Sequence, residues 1–362
     1  MPLEFSPEWS NKWQLMLEMP RFRKHLIILA LFTLAPGFVM AEGLFDTDAP
    51  LNIALESDFY TMTKARDKTL DYPGKLTVDT TSLPIELSLR GVSRLKPSNC
   101  HFPPLRVDFK KSEQKSKTPF AGEGDMKLVV QCKNGASYLD YLRIEFLIYK
   151  LLNTLTPLSY RVRWVEITYS EPGKSDIDVR PGFFVETKKN LAKRNKLKTA
   201  NEIKKTSHNE LNPSQAALLE HFQFLIGNTD YSLVQSVDPN ECCHNAKLLR
   251  VQDVDAPKPY IPIIYDFDST GLVNATYTAP ATSLGISQVT QRLFRGVCRD
   301  PEVMKAARNR LLMQQTELID LIKNDPLLHR SRKKSAAKYL NRGFDLLASE
   351  KKYQWSVVKK CL

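Results

Sequence analysis

The spacing of apolar residues changes part-way along this chain. Apolar and polar residues alternate in short segments before residue 135, most clearly at 105–109 (LRVDF) and 126–132 (MKLVVQC). That two-residue period predicts half-buried strands. From Tyr138 to Leu155 the apolar residues recur at steps of three and four, which predicts an amphipathic helix. The two periods together predict a fold that combines strands with helices.

The remaining segments divide the chain into a strand-rich half and a helix-rich half. Further strands are predicted at 85–89, 160–169 and 182–186, so the first half reads β-β-β-α-β-β. In the second half, helices are predicted at 212–226, 288–295, 301–322 and 332–348. Two short strands are predicted there at 246–251 and 260–265. The polar, basic stretch 187–212 separates the two halves.

Residues 19–41 have the layout of a secretory signal peptide. The basic residues Arg21, Arg23 and Lys24 precede an apolar stretch that runs to Met40 and ends on the small-x-small sequence VMA. The apolar run is shorter than the roughly 20 residues that a transmembrane helix needs. We therefore predict a cleaved signal, with an uncleaved anchor or a buried core helix as the alternatives.

Export determines several further expectations. Residues 1–41 are predicted to be removed, with Met19 as an alternative start, and 42–80 to form an extended lead-in. The mature chain is predicted to have no transmembrane segment and to lie in the periplasm or outside the cell. All six cysteines follow the cleavage point, and an even number in an oxidising compartment favours disulfides. Six cysteines allow fifteen pairings, among which sequence cannot choose.

Polar residues occur where elements of the second half end. Asp230 follows an apolar helix, Asn245 precedes a short strand, and Asp266 and Asp268 follow the next strand. Mg²⁺ prefers hard oxygen ligands, typically one or two carboxylates together with phosphate oxygens. An Asp, an Asn and a further Asp in this order are what phosphoryl transfer from a nucleotide requires. The pattern predicts that these groups converge on one cation.

Five short motifs in this order resemble the secreted, atypical kinases of the spore-coat-protein-H type. The motifs are 89–94 (LRGVSR), 138–150, 184–188 (FVETK), 227–231 (GNTDY) and 265–268 (YDFD), and the resemblance covers roughly residues 85–275. Each motif is short, and the order of all five is more specific than any one of them.

The resemblance implies an α+β, protein-kinase-like two-lobe fold. The N-terminal lobe would be mainly antiparallel β with one helix, over 81–187, and the C-terminal lobe mainly α, over 188–362. The catalytic-type loops would be 227–231, 244–245 and 265–271.

The resemblance also implies an activity: transfer of phosphate from ATP, with Mg²⁺ or Mn²⁺, to a protein or cell-envelope acceptor. Asp230 would be the catalytic base or would position the nucleophile. Lys127, oriented by Glu145, would contact the phosphates, and Arg106 is the alternative cation for that position.

The remaining implied site residues contact the nucleotide or the metal. Arg90 and Gly91 would cover the phosphates, and backbone groups around Glu186 would contact adenine. The metal ligands would be Asn245, Asp266 and Asp268.

Other interpretations remain open at this point. The chain could be a catalytically degenerate, kinase-like binding module, or it could transfer AMP rather than phosphate. Without the signal the net charge is +11, from 48 basic and 37 acidic residues, which would suit nucleic acid. Export argues against nucleic acid as a partner, so no nucleic-acid binding is expected. His221 and His244 are predicted to be structural, and Cys242-Cys243-His244 lacks the spacing of a zinc site.

Overall fold

The computed structural model describes residues 42–109, 113–174, 178–236, 238–253 and 255–362. The predicted signal peptide at 1–41 lies outside the described residues.

Seven strands of the described residues form one closed barrel. These strands are β1 (Leu51–Ser57), β2 (Tyr72–Val78), β3 (Thr81–Leu89), β4 (Leu105–Asp108), β5 (Asp125–Val130), β6 (Val162–Ser170) and β7 (Asp178–Val185). Their order around the barrel is β1-β2-β3-β4-β5-β7-β6. The β1–β6 pair is parallel, with Leu51 opposite Val165, and the other neighbours are antiparallel.

The closed barrel contradicts the expected protein-kinase-like two-lobe fold, and that prediction is wrong. The error arises in 42–80, which was expected to be an extended lead-in but supplies β1, β2 and a helix between them. Ile53, Leu55 and Ser57 alternate inward along β1. Because β1 pairs with both β2 and β6, it joins the two ends of what would otherwise be an open sheet.

The barrel interior is apolar and its outer face carries charge. Leu87, Val107 and Leu128 are fully buried inside the barrel. Burying a side chain of this kind stabilises the fold by about 1.5–3 kcal/mol. On the opposite face of the same strands, Arg106 of β4 lies directly across the ladder from Lys127 of β5. Directly opposed residues point to one side of a sheet, so both cations project outward.

The described residues contain eight α-helices and a second, small sheet. The helices are α1 (Phe59–Ala65), α2 (Ala136–Leu155), α3 (Lys188–Arg194), α4 (Pro213–Ile226), α5 (Pro301–Met313), α6 (Gln315–Lys323), α7 (Arg330–Ala348) and α8 (Glu350–Ser356). The small sheet has the order β10-β9-β8, with β8 (Lys198–Thr199), β9 (Ala246–Arg250) and β10 (Tyr260–Ile264). The predicted helices at 138–155 and 212–226 are confirmed within two residues at each end.

Two helix predictions need correction. The segment 288–295 is not helical, and its Arg292 and Arg295 side chains donate to backbone carbonyls of other segments, such as Tyr339 O at 2.7 Å and Tyr231 O at 2.9 Å. These tertiary bonds override the local helix preference. The segment 301–322 forms two helices, α5 and α6, which meet at Gln314.

Helix α4 lies in the centre of the helical part and leads into the first predicted loop. The Asn212 side chain accepts a hydrogen bond from the Gln215 amide, and Pro213 occupies the first turn, so both start signals are present. Every residue from Gln215 to Ile226 is buried, as expected of a helix surrounded by core. Gly227 ends it in the left-handed conformation, at φ 67°.

All six cysteines lie in pairs at disulfide distance: Cys100–Cys132, Cys242–Cys243 and Cys298–Cys361. This pairing is compatible with an exported protein. Within the described ranges, no helix combines the length and the apolar character needed to cross a membrane.

Candidate functional site

Backbone hydrogen bonds hold the three predicted loops together. Ser232 and His244 exchange two of them, with N···O distances of 2.9 and 3.0 Å. The Tyr265 amide donates to the carbonyl of Asn245 at 3.0 Å. The sequence therefore brings loops from three separate segments to one place, as the order of the polar residues predicted.

Lys127 and Asp266 meet across this site. The Lys127 ammonium donates to Asp266 Oδ1 at 3.2 Å, although 139 residues separate them. The amide of Asp266 donates to the hydroxyl of Tyr149 on α2 at 3.0 Å, and its backbone is left-handed, with φ 65°. The Asp266 side chain is partly exposed, at 35%, so solvent still reaches it.

The charges around Asp266 favour its ionised form. Desolvation raises the pKa of this carboxyl, but the positive charges of Lys127 and Arg94 outweigh it, so the net shift is downward. Arg90 contributes in the same direction. Asp266 is therefore an anion at neutral pH.

Arg94 connects the two other carboxylates of the cluster. It lies in the short 3-10 turn Ser93–Leu95, and only 6% of the residue is exposed. Its Nε donates to Asp268 Oδ2 at 2.7 Å, and one terminal nitrogen donates to Glu145 Oε2 at 2.8 Å. Glu145 was expected to orient Lys127, but in the structure the Glu145 carboxylate pairs with Arg94 instead.

Glu145 is buried on α2 and is only partly neutralised. Within the described residues its Oε1 has no hydrogen-bond partner, and 2% of the residue is exposed. Burial, with a smaller contribution from the negative charges of Asp268 and Asp266, raises the pKa of Glu145 to about 7 against the opposing charge of Arg94. The cluster thus contains a carboxyl that titrates near neutral pH.

A second group of polar side chains surrounds Asp230. His244 Nε2 lies 2.8 Å from Asp230 Oδ1. The Asn245 side-chain amide donates to the Asp230 carbonyl at 2.7 Å and to its Oδ2 at 3.1 Å. The hydrogen bond to Asp230 raises the pKa of His244 although partial desolvation opposes it, and Asp266 contributes further. The two groups of residues therefore belong to one electrostatic site.

The structure distinguishes the two candidate cations. Arg106 and Lys127 share the outer face of the barrel, but Arg106 Nε lies 2.8 Å from Asp125 Oδ2, and a terminal nitrogen donates to Asp108 at 3.2 Å. Lys127 is the one that reaches Asp266.

The residues predicted to contact the nucleotide lie at the end of the first β-hairpin and after β7. The Arg90 amide donates to the carbonyl of Pro104 at 2.8 Å, and the exposed Gly91 has φ 95°, which glycine adopts without strain. The Glu186 carboxylate is buried and pairs with Arg194 at 2.8 Å, while its amide donates to the Arg161 carbonyl. The Glu186 side chain therefore holds the segment after β7 in place.

The protein oxygen atoms at this site fit a magnesium ion that takes most of its ligands from phosphate or water. The partly exposed carboxylate of Asp266 and the side-chain oxygen of Asn245 are hard ligands, whereas Asp268 is bound to Arg94. Within the described ranges, no group of three or more His, Cys, Asp and Glu residues could by itself hold a metal ion. Mg²⁺ is usually bound by one or two carboxylates together with phosphate oxygens, and this donor set suits that mode.

Sequence reasoning missed two contributors. Arg94 was noted only as a letter of the LRGVSR motif, and His244 was predicted to be structural. Their contacts join residues 174 and 14 positions apart, respectively. The position of His244 next to Asn245, in a loop already predicted to be functional, is the one signal that favoured it.

Comparison with models of known protein families gives no match, and a search of curated proteins finds no match either. The resemblance to the spore-coat-protein-H type of kinase thus continues to depend on the five motifs.

Proposed function

We propose that the protein is an exported phosphotransferase, which transfers phosphate from ATP to a hydroxyl group of a protein or cell-envelope acceptor. The observation that supports it best is the Lys127–Asp266 contact, because it joins a cation and a carboxylate 139 residues apart. Phosphoryl transfer depends almost entirely on such charged groups being positioned around the phosphates.

Lys127 would bind the phosphates of ATP. Its ammonium is a compact point charge, and phosphate oxygens would replace the Asp266 oxygen that it contacts now. Arg90, whose charge already acts on Asp266, would add a second cation at the same site.

Asp230 would accept the proton of the acceptor hydroxyl. The hydroxyl oxygen would then form a bond to the γ-phosphorus, the bond from that phosphorus to the leaving ADP oxygen would break, and the proton would stay on Asp230. His244 and Asn245 hold the Asp230 carboxylate in place through its two oxygens. Removing a positioned general base typically lowers a rate by about 10²–10⁴-fold.

Asp266 and the side-chain oxygen of Asn245 would hold Mg²⁺ or Mn²⁺, which when bound neutralises charge on the phosphates. Asp268 is the weaker candidate ligand, because Arg94 already bonds to its Oδ2 at 2.7 Å.

A second candidate is a nucleotide-binding module without catalysis. One observation favours it: Glu145 pairs with Arg94, so Lys127 lacks the carboxylate partner that the kinase resemblance implies. Both candidates share the phosphate site and differ only in turnover.

Incubation with ATP labelled at the γ-phosphate tests the proposal. We expect label to be incorporated into the chain itself or into added protein by the wild type, and the Asp230→Asn and Asp266→Asn variants to lose at least 99% of it. Asp125→Asn, which removes a half-exposed carboxylate on the barrel, is the matched control and should retain activity.

The other outcomes are equally definite. Nucleotide binding without turnover in the wild type would establish the binding module instead. Label transferred from the α-phosphate would establish AMP transfer. A wild type that shows no nucleotide binding and no turnover would refute both candidates.

A further inference from the structure

One face of α7 carries a regular row of positive charges. Arg330, Lys334, Lys338 and Arg342 recur at every fourth position, and all four are exposed. A step of four residues advances about 6 Å along a helix axis, so the charges follow one another along one side of the helix.

The row lines a groove of about 590 Å³. Lys323, at the end of α6, and Lys333 add two further cations to its lining, and Asp345 is the single acidic residue there. The remaining lining residues are Ala337 and Asn341. The groove is therefore strongly cationic and contains no aromatic side chain.

The cations of the row form no ion pair with the acidic residues that the structure describes. None of the ion pairs formed among the described residues involves any of these four side chains. Arg332 on the same helix differs, because it donates to backbone carbonyls, including Leu272 O at 3.2 Å. Arg308 of α5 likewise pairs with Glu350. The row therefore presents four exposed charges that form no ion pair among the described residues.

The arrangement disfavours the isolated helix. Like charges four residues apart on a helix repel one another, and the row contains three such neighbouring pairs. A ligand with negative groups at intervals would relieve that repulsion and release bound counterions.

We propose that this groove binds a linear acidic polysaccharide, with its anionic groups facing the row. The regular spacing of the charges along one helix suits an extended chain whose negative groups repeat along its length. The lack of aromatic residues leaves no platform for stacking nucleic-acid bases. The paired cysteines are compatible with a compartment where such glycans occur. The groove shares no lining residue with the site around Asp266, so the inference does not rest on the phosphotransferase proposal.

Equilibrium binding of the full chain to heparin, as the probe polysaccharide, tests the inference. The Lys334→Gln/Lys338→Gln variant should bind at least tenfold more weakly at 0.15 M salt and show a smaller dependence of affinity on salt. Its thermal midpoint should not fall, because the substitutions remove repulsion, and this excludes unfolding as the cause.

Lys64→Gln/Lys68→Gln is the matched control, since it removes the same charge from exposed lysines near the barrel. It should change heparin affinity by less than twofold. Equal loss in both double variants, or no loss in the groove variant, would overturn the proposal. So would tighter binding, through the same two lysines, of single-stranded DNA of equal charge or of phosphatidylglycerol vesicles.

Discussion

Arg94 is the residue that makes the cluster of carboxylates compatible with burial. It bonds to both Glu145 and Asp268. Burial disfavours the charge of Arg94, but these carboxylates hold its pKa well above the ordinary value. A buried ion pair is far more costly to break than it is favourable to form. The three side chains therefore act as one unit at the base of the site.

Glu145 should make stability depend on pH between 4.5 and 7. Its pKa rises from 4.5 to about 7 on folding, so the folded state binds the proton more tightly than the unfolded state. The stability from this group is fully present below pH 4.5 and is lost as pH rises through 7. Relative to Glu145→Gln, the wild type should lose about 3 kcal/mol over this range. Urea unfolding at pH 4.5, 6 and 8 measures this difference, and a constant difference would contradict it.

His244 should show a smaller effect, which also disappears as pH rises. Its pKa is raised by the hydrogen bond to Asp230, so its contribution is fully present below about 6.5 and is lost as pH rises through the folded value. Because the side chain is 39% exposed, we expect less than about 1 kcal/mol. The measurement is the unfolding free energy of wild type and His244→Gln at pH 5.5 and 8.5. A larger difference at pH 8.5 than at 5.5 would reverse the predicted sign.

Single residues could be selected from sequence where local elements mark them, whereas their partners depend on contacts between distant parts of the chain. Asp230, Asn245 and Asp266 could be selected from sequence because each follows or precedes a recognisable element. The partners of Glu145 and Asp230 could not, since ion pairs depend on tertiary proximity. The same holds for the choice between Lys127 and Arg106, which lie side by side on one face of the barrel.

At the scale of elements, local signals explain which predictions succeeded. Helices α2 and α4 have clear periods or caps, and both were predicted nearly to their ends. Strands β1 and β2 were missed although each has seven residues, and the parallel partner of β1, β6, begins more than a hundred residues later. Barrel closure is a property of that long-range pair, and no local pattern encodes it.

Gly182 offers a test of the packing between neighbouring barrel strands. It lies on β7 between β5 and β6, and an added Cβ would meet the Val129 carbonyl at 2.8 Å and Ile167 Cδ1 at 2.9 Å. Overpacking of this kind typically costs about 1–3 kcal/mol, so Gly182→Ala should lower the thermal midpoint by several degrees. Gly124→Ala is the control, because nothing lies within 4 Å of its added Cβ. Equal midpoints for the two variants would contradict the described barrel packing.

At the scale of the whole molecule, the disulfides should contribute unequally. Cys298–Cys361 closes a loop with a sequence separation of 63, whereas Cys242–Cys243 joins neighbours. In the chain-entropy account, the longer loop stabilises by about 4 kcal/mol and the vicinal pair by much less. Cys298→Ala/Cys361→Ala should therefore destabilise the chain far more than Cys242→Ala/Cys243→Ala in guanidinium unfolding. The reverse order would show that the vicinal pair has a structural function beyond loop closure.

Composition also predicted the pairing of the cysteines more readily than the architecture. An even number of cysteines predicted disulfides, and all six are paired, but which cysteines pair follows only from the fold. The site likewise joins two predicted residues, Lys127 on a barrel strand and Asp266 after β10, although the barrel itself was not predicted.

The most direct test of the phosphate site is the thermal midpoint of the chain with and without ATP and Mg²⁺. At a ligand concentration about 100 times Kd, binding should stabilise the wild type by about 2.7 kcal/mol, a rise of a few degrees. We predict that Lys127→Gln and Asp266→Asn lose this rise and that Asp125→Asn keeps it. A wild type that does not respond, or a rise of equal size in all four proteins, would contradict the assignment of Lys127 and Asp266 to a nucleotide site.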